Sequence, residues 1–173
     1  MLKQHQDLSR KGAEQKFKGG LADAGEATTK LHTATHLLNA ALREIVNSNI
    51  SQKGANITAE RARFDFNADE KLTDEQVKKV ENWINNIIKQ DSEVTMEILS
   101  VADAKKAGAH GVFDSKYGEQ VKVYTVKGKD GKVYSKEICG GPHVTNTKGM
   151  GTFKIAKQEA VAAGIRRIKA ILE

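Results

Sequence analysis

A chain of 173 residues is long enough to bury a substantial core and falls within the span of one domain. With 39% hydrophobic and 29% charged residues it is too apolar for outright disorder. No stretch is apolar for long enough to read as a signal peptide or a bilayer span, so a cytoplasmic location is expected. The net charge of +6 suits polyanionic partners such as RNA without identifying one, and the single cysteine, Cys139, excludes an intrachain disulfide while leaving a thiol for ligation or attack.

In chain order, residues 1–27 are polar, mix both charge signs and contain Gly19-Gly20, which reads as a peripheral helix and loop ahead of a main domain at 28–173. From Thr28 the pattern changes. Leu31, Ala34, Leu37, Leu38, Ala41, Leu42 and Ile45 recur at three- and four-residue steps, predicting a helix with one buried face, capped by Thr28 or Thr29. Past Asn47-Ser48-Asn49 a Ser51-Gln52-Lys53-Gly54 turn leads to Ile57-Thr58-Ala59. The residues Ala62-Arg63-Phe64-Asp65-Phe66 then alternate as a half-buried strand does.

Thr73, followed by Asp74 and Glu75, predicts the start of a second helix that Val77, Val80, Ile84, Ile87 and Ile88 continue, with Trp83 flanking the stripe as a core residue. Val94–Leu99 and Val121–Val126 alternate as strands, with a short helix at Val101–Ala107 between them. Asp130-Gly131 marks a hairpin that returns Val133–Ile138 antiparallel to the preceding strand. Thr152–Ile155 and Gly164–Leu172 are the last apolar segments, the latter helix or strand by periodicity. Hairpin-joined strands with separate helices predict an α+β domain built on an antiparallel sheet.

Two short motifs carry chemistry: His32-Thr33-Ala34-Thr35-His36 on the first helix, and Cys139-Gly140-Gly141-Pro142-His143 after a strand. Each spaces two metal-ligand types four positions apart. On a helix, i and i+4 share a face, so the two imidazoles can converge on one ion. Glycine and proline forbid a helix in the second motif but permit a tight turn that brings thiolate and imidazole together. This nitrogen and sulfur set favours Zn²⁺ over Mg²⁺ or Ca²⁺. Four protein ligands normally make a closed, structural site, so a catalytic one needs a displaceable ligand, a fifth position or a purely organising metal. A metallopeptidase would carry Glu directly after its first histidine, where this chain has Thr33. Thr33, Thr35 and Gln52 instead offer hydroxyl and amide groups that can orient a small polar substrate and a water. The N–H groups of Gly140 and Gly141 either hold a developing oxyanion or merely form a turn. His110 reads as a loop residue and His5 as solvated.

The segments Lys16-Phe-Lys-Gly-Gly-Leu-Ala-Asp23, Thr28-Thr-Lys-Leu-His-Thr-Ala-Thr-His-Leu-Leu38, Gln52-Lys-Gly54, Arg63-Phe-Asp-Phe66, Lys116-Tyr-Gly118, Cys139-Gly-Gly-Pro-His-Val144 and Ala163-Gly-Ile-Arg-Arg-Ile168 closely resemble the editing region of alanyl-tRNA synthetases and the free-standing editing proteins related to it. The resemblance implies a zinc-containing editing-domain fold at 28–173 and a metal-dependent aminoacyl-tRNA deacylase. Its substrate would be tRNA(Ala) mischarged with serine or glycine, and its activity would be part of translation fidelity. It implies one Zn²⁺ held by His32, His36, Cys139 and His143, with Thr35 and Gln52 at positions associated with amino-acid discrimination. We expect Thr35 to contact the serine hydroxyl and Gln52 to help place the ester or water. No ATP-binding segment falls within the resemblance, so deacylation without aminoacylation is expected, with the rest of a synthetase chain as a further partner if this is an excised piece. Lys53, Arg61, Arg63, Arg166, Arg167 and Lys169 are candidate phosphate contacts, set against a simply solvated basic surface.

Pro142 departs from the alanyl pattern toward that of bacterial threonyl-tRNA synthetase editing domains, which keeps Ser-tRNA(Thr) as an alternative substrate. A non-catalytic, zinc-stabilised tRNA-binding module is the rival from another functional class, and a metallohydrolase acting on another small ester stands further back.

Overall fold

The computed structural model describes residues 20–111 and 120–173. Most of the N-terminal segment, its Lys16–Gly19 portion and the Lys116-Tyr117-Gly118 segment lie outside the described residues. In chain order the elements are α1 (Glu26–Ile45), β1 (Gln52–Ile57), β2 (Ala62–Asn67), α2 (Asp74–Lys89), β3 (Glu93–Ser100), α3 (Val101–Lys106), β4 (Gln120–Lys127), β5 (Val133–Ile138), β6 (Phe153–Ala162) and β7 (Ile165–Leu172). The strands form two antiparallel sheets, ordered β1-β2-β7-β6 and β3-β4-β5, rather than the one sheet expected. The α+β class holds.

One core joins both sheets and both long helices. Ala34, Leu37, Leu38, Ala41 and Leu42 of α1 and Val80, Ile84 and Ile87 of α2 pack with Phe64, Phe66 and Ile168 of the larger sheet and Val94 and Val126 of the smaller. Helix α1 is therefore covered from more than one side. Its buried residues run without a break from Leu31 to Asn39, so the single buried face read from periodicity understates it. The consequence matters for function, because His32, Thr33, Thr35, His36 and Asn39 are buried polar groups that need partners inside the fold.

The start of α1 also differs from expectation. Gly25 is its N-cap without a side-chain cap, and Asp23 Oδ1 accepts the Gly25 N–H at 2.8 Å, so Asp23, not Thr28 or Thr29, organises the entry. Of the segment expected to be peripheral, Gly20, Leu21 and Ala22 are tied to β1, while 22–27 are exposed. Ile57 donates to the Gly20 carbonyl and Ala22 to the Ile57 carbonyl, each at 2.8 Å, and Leu21 packs with Leu31, Ile57 and Ala62.

Gln52-Lys53-Gly54 is the beginning of β1, bulged between Gln52 and Gly54, instead of a free turn, and the strand ends at Ile57. The sequence gives no alternation there because β1 is an edge strand with exposed residues, ordered by its pairing with β2. Helix α2 starts as read, with a reciprocal capping box in which Thr73 Oγ1 accepts Gln76 N–H at 3.1 Å and Gln76 Oε1 accepts Thr73 N–H at 3.0 Å. Trp83 is partly buried against the core and meets Tyr134 edge-on at 5.7 Å.

Strand β6 is the other edge of the larger sheet, and α2 covers part of it. Asn85 exchanges two hydrogen bonds with the Phe153 backbone, at 2.7 and 3.0 Å, and Glu81 accepts from Ile155 N–H at 3.0 Å. The last apolar segment is strand β7, paired with β2 through Phe64↔Ile168 and with β6 through Gln158↔Ile168. In the smaller sheet, the Asp130-Gly131 hairpin returns β5 along β4 as expected, pairing Tyr124 with Glu137 and Val123 with Ile138. That register carries Cys139 to the end of β5, where its N–H still donates to Lys122 O at 3.1 Å.

Candidate metal centre

The two motifs meet. His32 and His36, one turn apart on α1, face the turn that follows β5, and the ligand atoms of His32, His36, Cys139 and His143 all lie within 4.8 Å of one another. Cys139 Sγ is 3.4 Å from Nε2 of both His32 and His143. Around an ion at zinc-like bond lengths, tetrahedral neighbours stand roughly 3.3–3.7 Å apart, so these edges already match a small four-coordinate site.

Each imidazole is also aimed. His32 Nδ1 lies 2.9 Å from the Pro142 carbonyl, an acceptor only, so Nδ1 carries the proton and Nε2 keeps its lone pair. His36 Nδ1 lies 3.1 Å from Glu137 Oε2, and Asn39 holds the other carboxylate oxygen at 2.7 Å. His143 Nδ1 lies 3.0 Å from Thr33 Oγ1. All three Nδ1 atoms are thus occupied and the Nε2 atoms are left for ligation, the usual arrangement around a bound metal. The donor set fits Zn²⁺.

Electrostatics agree. Burial holds His32 below the usual histidine range and His36 and His143 well below it, so all three are neutral, as ligands must be. Burial pushes the Cys139 thiol up to about 11, against the N–H of Gly141, which donates to Sγ at 3.4 Å. Taking up a metal would therefore displace a proton from this thiol. Burial also raises the Glu137 carboxyl to about 7, with Asn39 and Arg43 pulling the other way.

A cleft of about 1070 Å³ opens onto the ligands, and His32, His36 and Cys139 form part of its wall. Its other walls come from Asp23 before α1, Gln52 and Lys53 on β1, Arg43 and Asn39 on α1, His110, Glu137, and the Gly140–Pro142 turn. Gln52, Gly140 and Gly141 all line this cleft. Gly140 has open space where a Cβ would point. Gly141 does not: its φ is +71°, a Cβ would fall 2.4 Å from Tyr124 Oη, and its N–H is engaged by Cys139, so it serves the turn rather than an oxyanion.

Thr35 is buried, donates from Oγ1 to the His32 carbonyl at 2.7 Å, and is not among the cleft-lining residues. Thr33 is likewise turned inward, away from the substrate-orienting place read for it. His110, read as a loop residue, bridges to Glu137 through its backbone and lines the cleft. Sequence reasoning missed Glu137 and Asn39. A signal for Glu137 existed, since in extended chain a residue two before Cys139 points to the same side.

A family model described as the threonyl and alanyl tRNA synthetase second additional domain matches residues 121–169, which run from β4 through the Cys139–His143 turn into β7. The chain is 51% identical over 172 residues to an alanine-tRNA ligase of Treponema denticola, covering 99% of this chain and 28% of that one. Its kinship is with the alanyl-tRNA synthetases. An alanine-tRNA ligase of Borreliella burgdorferi is 51% identical over 171 residues, with the same coverage. One of Lachnoclostridium phytofermentans is 45% identical over 146 residues, or 84% of this chain and 16% of its own. The chain thus spans 28% of the length of the first two ligases. The matches to the Treponema denticola and Borreliella burgdorferi ligases span both ligand motifs, since 99% coverage leaves neither outside.

The basic residues expected to meet the tRNA of such a synthetase are divided. Lys53 is exposed in the cleft wall. Arg63 and Lys169 pair across β2 and β7. Arg61 and Arg63 bond Asn56 at 2.8 and 3.1 Å, and Arg167 forks onto Asp65 at 2.7 and 2.9 Å. Arg166 pairs with Phe66 and shares the core-facing side of β7, with Nε buried and unpartnered among the described residues. They form no single patch.

Proposed function

We propose that the chain hydrolyses the aminoacyl ester of tRNA(Ala) mischarged with serine, and with glycine, as a cytoplasmic proofreading deacylase within or beside an alanyl-tRNA synthetase. One observation carries the reading: a cleft large enough for an aminoacylated terminal nucleotide is bounded on one side by Gln52 and Lys53 and ends on His32, His36 and Cys139. His32, His36, Cys139 and His143 would hold a Zn²⁺ ion, which would supply Lewis-acid polarisation to an ester carbonyl. Among this chain's own groups, Lys53 offers a cation to the terminal phosphates and the Gln52 amide places the ester or the attacking water. The Gly140 edge of the turn leaves room for the tetrahedral centre.

The direction of discrimination is the favourable one. A site that hydrogen-bonds the serine hydroxyl rejects the cognate alanyl ester, which lacks it, by up to roughly 10⁴–10⁵-fold, and because the same term disfavours the glycyl ester, serine is the principal substrate. Thr35 contributes through its place between His32 and His36, and a direct contact to the substrate hydroxyl requires its Oγ1 to accept while donating to the His32 carbonyl.

Two other readings have specific support. Pro142 favours Ser-tRNA(Thr), which a family description naming both synthetases leaves open, and four protein ligands favour a closed metal in a non-catalytic tRNA-binding module. The test is release of serine from Ser-tRNA(Ala), with Ala-tRNA(Ala), Ser-tRNA(Thr) and Cys139→Ala run in parallel. Selective, Cys139-dependent release supports alanyl editing. Release only from Ser-tRNA(Thr) moves the activity to the threonyl system, and no release from any substrate favours the binding module.

A further inference from the structure

Thr33 is a β-branched, hydroxyl-bearing residue in the middle of a helix, a placement that brings no helical advantage, and it is fully buried. A buried threonine in a helix normally satisfies itself by donating to the carbonyl one turn back. Here that bond, to Thr29 O, is long at 3.3 Å, and the shorter contacts point across the fold. Thr33 Oγ1 lies 3.0 Å from His143 Nδ1 and accepts the N–H of Val144 at 3.2 Å. Its partners are thus one metal-ligand candidate and the backbone immediately after it, 110 and 111 positions away in the chain.

The hydroxyl has one proton and two lone pairs. With Val144 N–H on one lone pair and the proton given to Thr29 O, the other lone pair accepts His143 Nδ1–H, and Nε2 is left bare beside Cys139 Sγ. Turning the same hydroxyl toward His143 instead supports the opposite tautomer, with Nε2–H pointing at sulfur. A single side chain therefore serves both protonation patterns of this ring without moving a heavy atom.

We infer that Thr33 is the positioning residue for the fourth metal ligand: it fixes the orientation of the His143 ring, accepts Nδ1–H in the tautomer that leaves Nε2 free for the metal, and fastens the Cys139–His143 turn to α1. This rests on the metal reading above. His32 and His36 are held by α1 itself, whereas His143 stands on a glycine-rich turn whose partly buried neighbour Val144 packs against the core. Beside the His32–Pro142 contact, the Thr33 hydroxyl is a second tie between that turn and the ligand-bearing helix, and it acts at the His143 ring.

The test compares full-length wild type with Thr33→Val, which keeps the shape and loses the hydroxyl, and Thr33→Ser, which keeps the hydroxyl. Zn²⁺ affinity is measured by chelator competition, and Val144 amide exchange and the His143 ring tautomer by NMR. We expect Thr33→Val to lose roughly 10–100-fold in Zn²⁺ affinity together with Val144 protection, and Thr33→Ser to stay near wild type in both. Wild-type affinity in Thr33→Val, or an equal loss in both variants, overturns the inference. If Thr33→Val does not fold, the zinc-loaded wild type decides: a ring proton on His143 Nδ1 supports the inference and one on Nε2 refutes it. A wild type that takes up no Zn²⁺ overturns the metal reading instead, and Val144 exchange in the variants then decides whether Thr33 holds the turn.

Discussion

Glu137 Oε2 lies 3.1 Å from Nδ1 of His36, and both groups are buried. Burial alone favours the neutral imidazole, and the nearby carboxylate then accepts its Nδ1–H, which turns Nε2 toward the other ligands. Asn39, bonded at 2.7 Å, holds the carboxylate from the far side. Replacing Glu137 by Ala should weaken Zn²⁺ binding by roughly 10–100-fold, and replacing Asn39 by Ala should weaken it less, because one carboxylate oxygen still faces His36. Isothermal titration or chelator competition reads both. Unchanged affinity in Glu137→Ala would show that the ring is held by packing alone.

What was legible in the sequence follows from which interactions are local. Helical steps of Leu31 to Ile45, the Thr73 cap, Asp130-Gly131 and the two four-residue ligand spacings are short-range patterns, and each lands where it was read. Strand β1 is set by pairing with β2, and the entry to α1 by Asp23, neither of which leaves a periodic trace. The pairing of Thr33 and Glu137 with ligand histidines was hidden for the same reason. Their partners, His143 and His36, lie about a hundred positions away in the chain, so their roles emerge only once β5 lies beside α1.

Removing the metal should loosen the chain without unfolding it. The main core, from Phe64 and Phe66 through Leu37, Ile84 and Phe153, contains none of the four ligands. Saturating Zn²⁺ at about a hundred times Kd contributes about 2.7 kcal/mol, which for a chain of this size is a rise in Tm of roughly 5–11 °C over the chelated form. Thermal melts with and without chelator measure it. Loss of helical circular dichroism on chelation at 25 °C would instead make the metal part of the folding core, and the absence of any shift would remove it from the site.

The two glycines of the turn should behave differently. Gly141→Ala places a methyl 2.4 Å from Tyr124 Oη in a backbone with φ +71°, so it should cost about 1–2 kcal/mol from conformation alone. It should also displace Tyr124, whose ring meets His143 at 4.4 Å, and so reduce metal affinity. Gly140→Ala meets open space and should leave stability within about 0.5 kcal/mol of wild type. If Gly140→Ala nonetheless lowers deacylation, the added methyl obstructs the substrate rather than the fold. Denaturant melts and serine-release rates on the two variants separate these effects.

Arg167 and Lys53 test whether basic residues serve the fold or the tRNA. Arg167 makes a two-point contact to Asp65, partly shielded from water, so Arg167→Ala should cost about 1–2 kcal/mol of stability while leaving tRNA affinity unchanged. Lys53 is exposed at the cleft, and its side chain makes no hydrogen bond or ion pair among the described residues. Lys53→Ala should keep wild-type stability, weaken tRNA binding, and lower the magnitude of the slope of log affinity against log salt by about one, as expected for one phosphate contact. Filter binding at several salt concentrations measures the slope. An unchanged slope in Lys53→Ala with a reduced one in Arg167→Ala would move the acceptor end of the tRNA from the cleft wall to the outer face of the larger sheet.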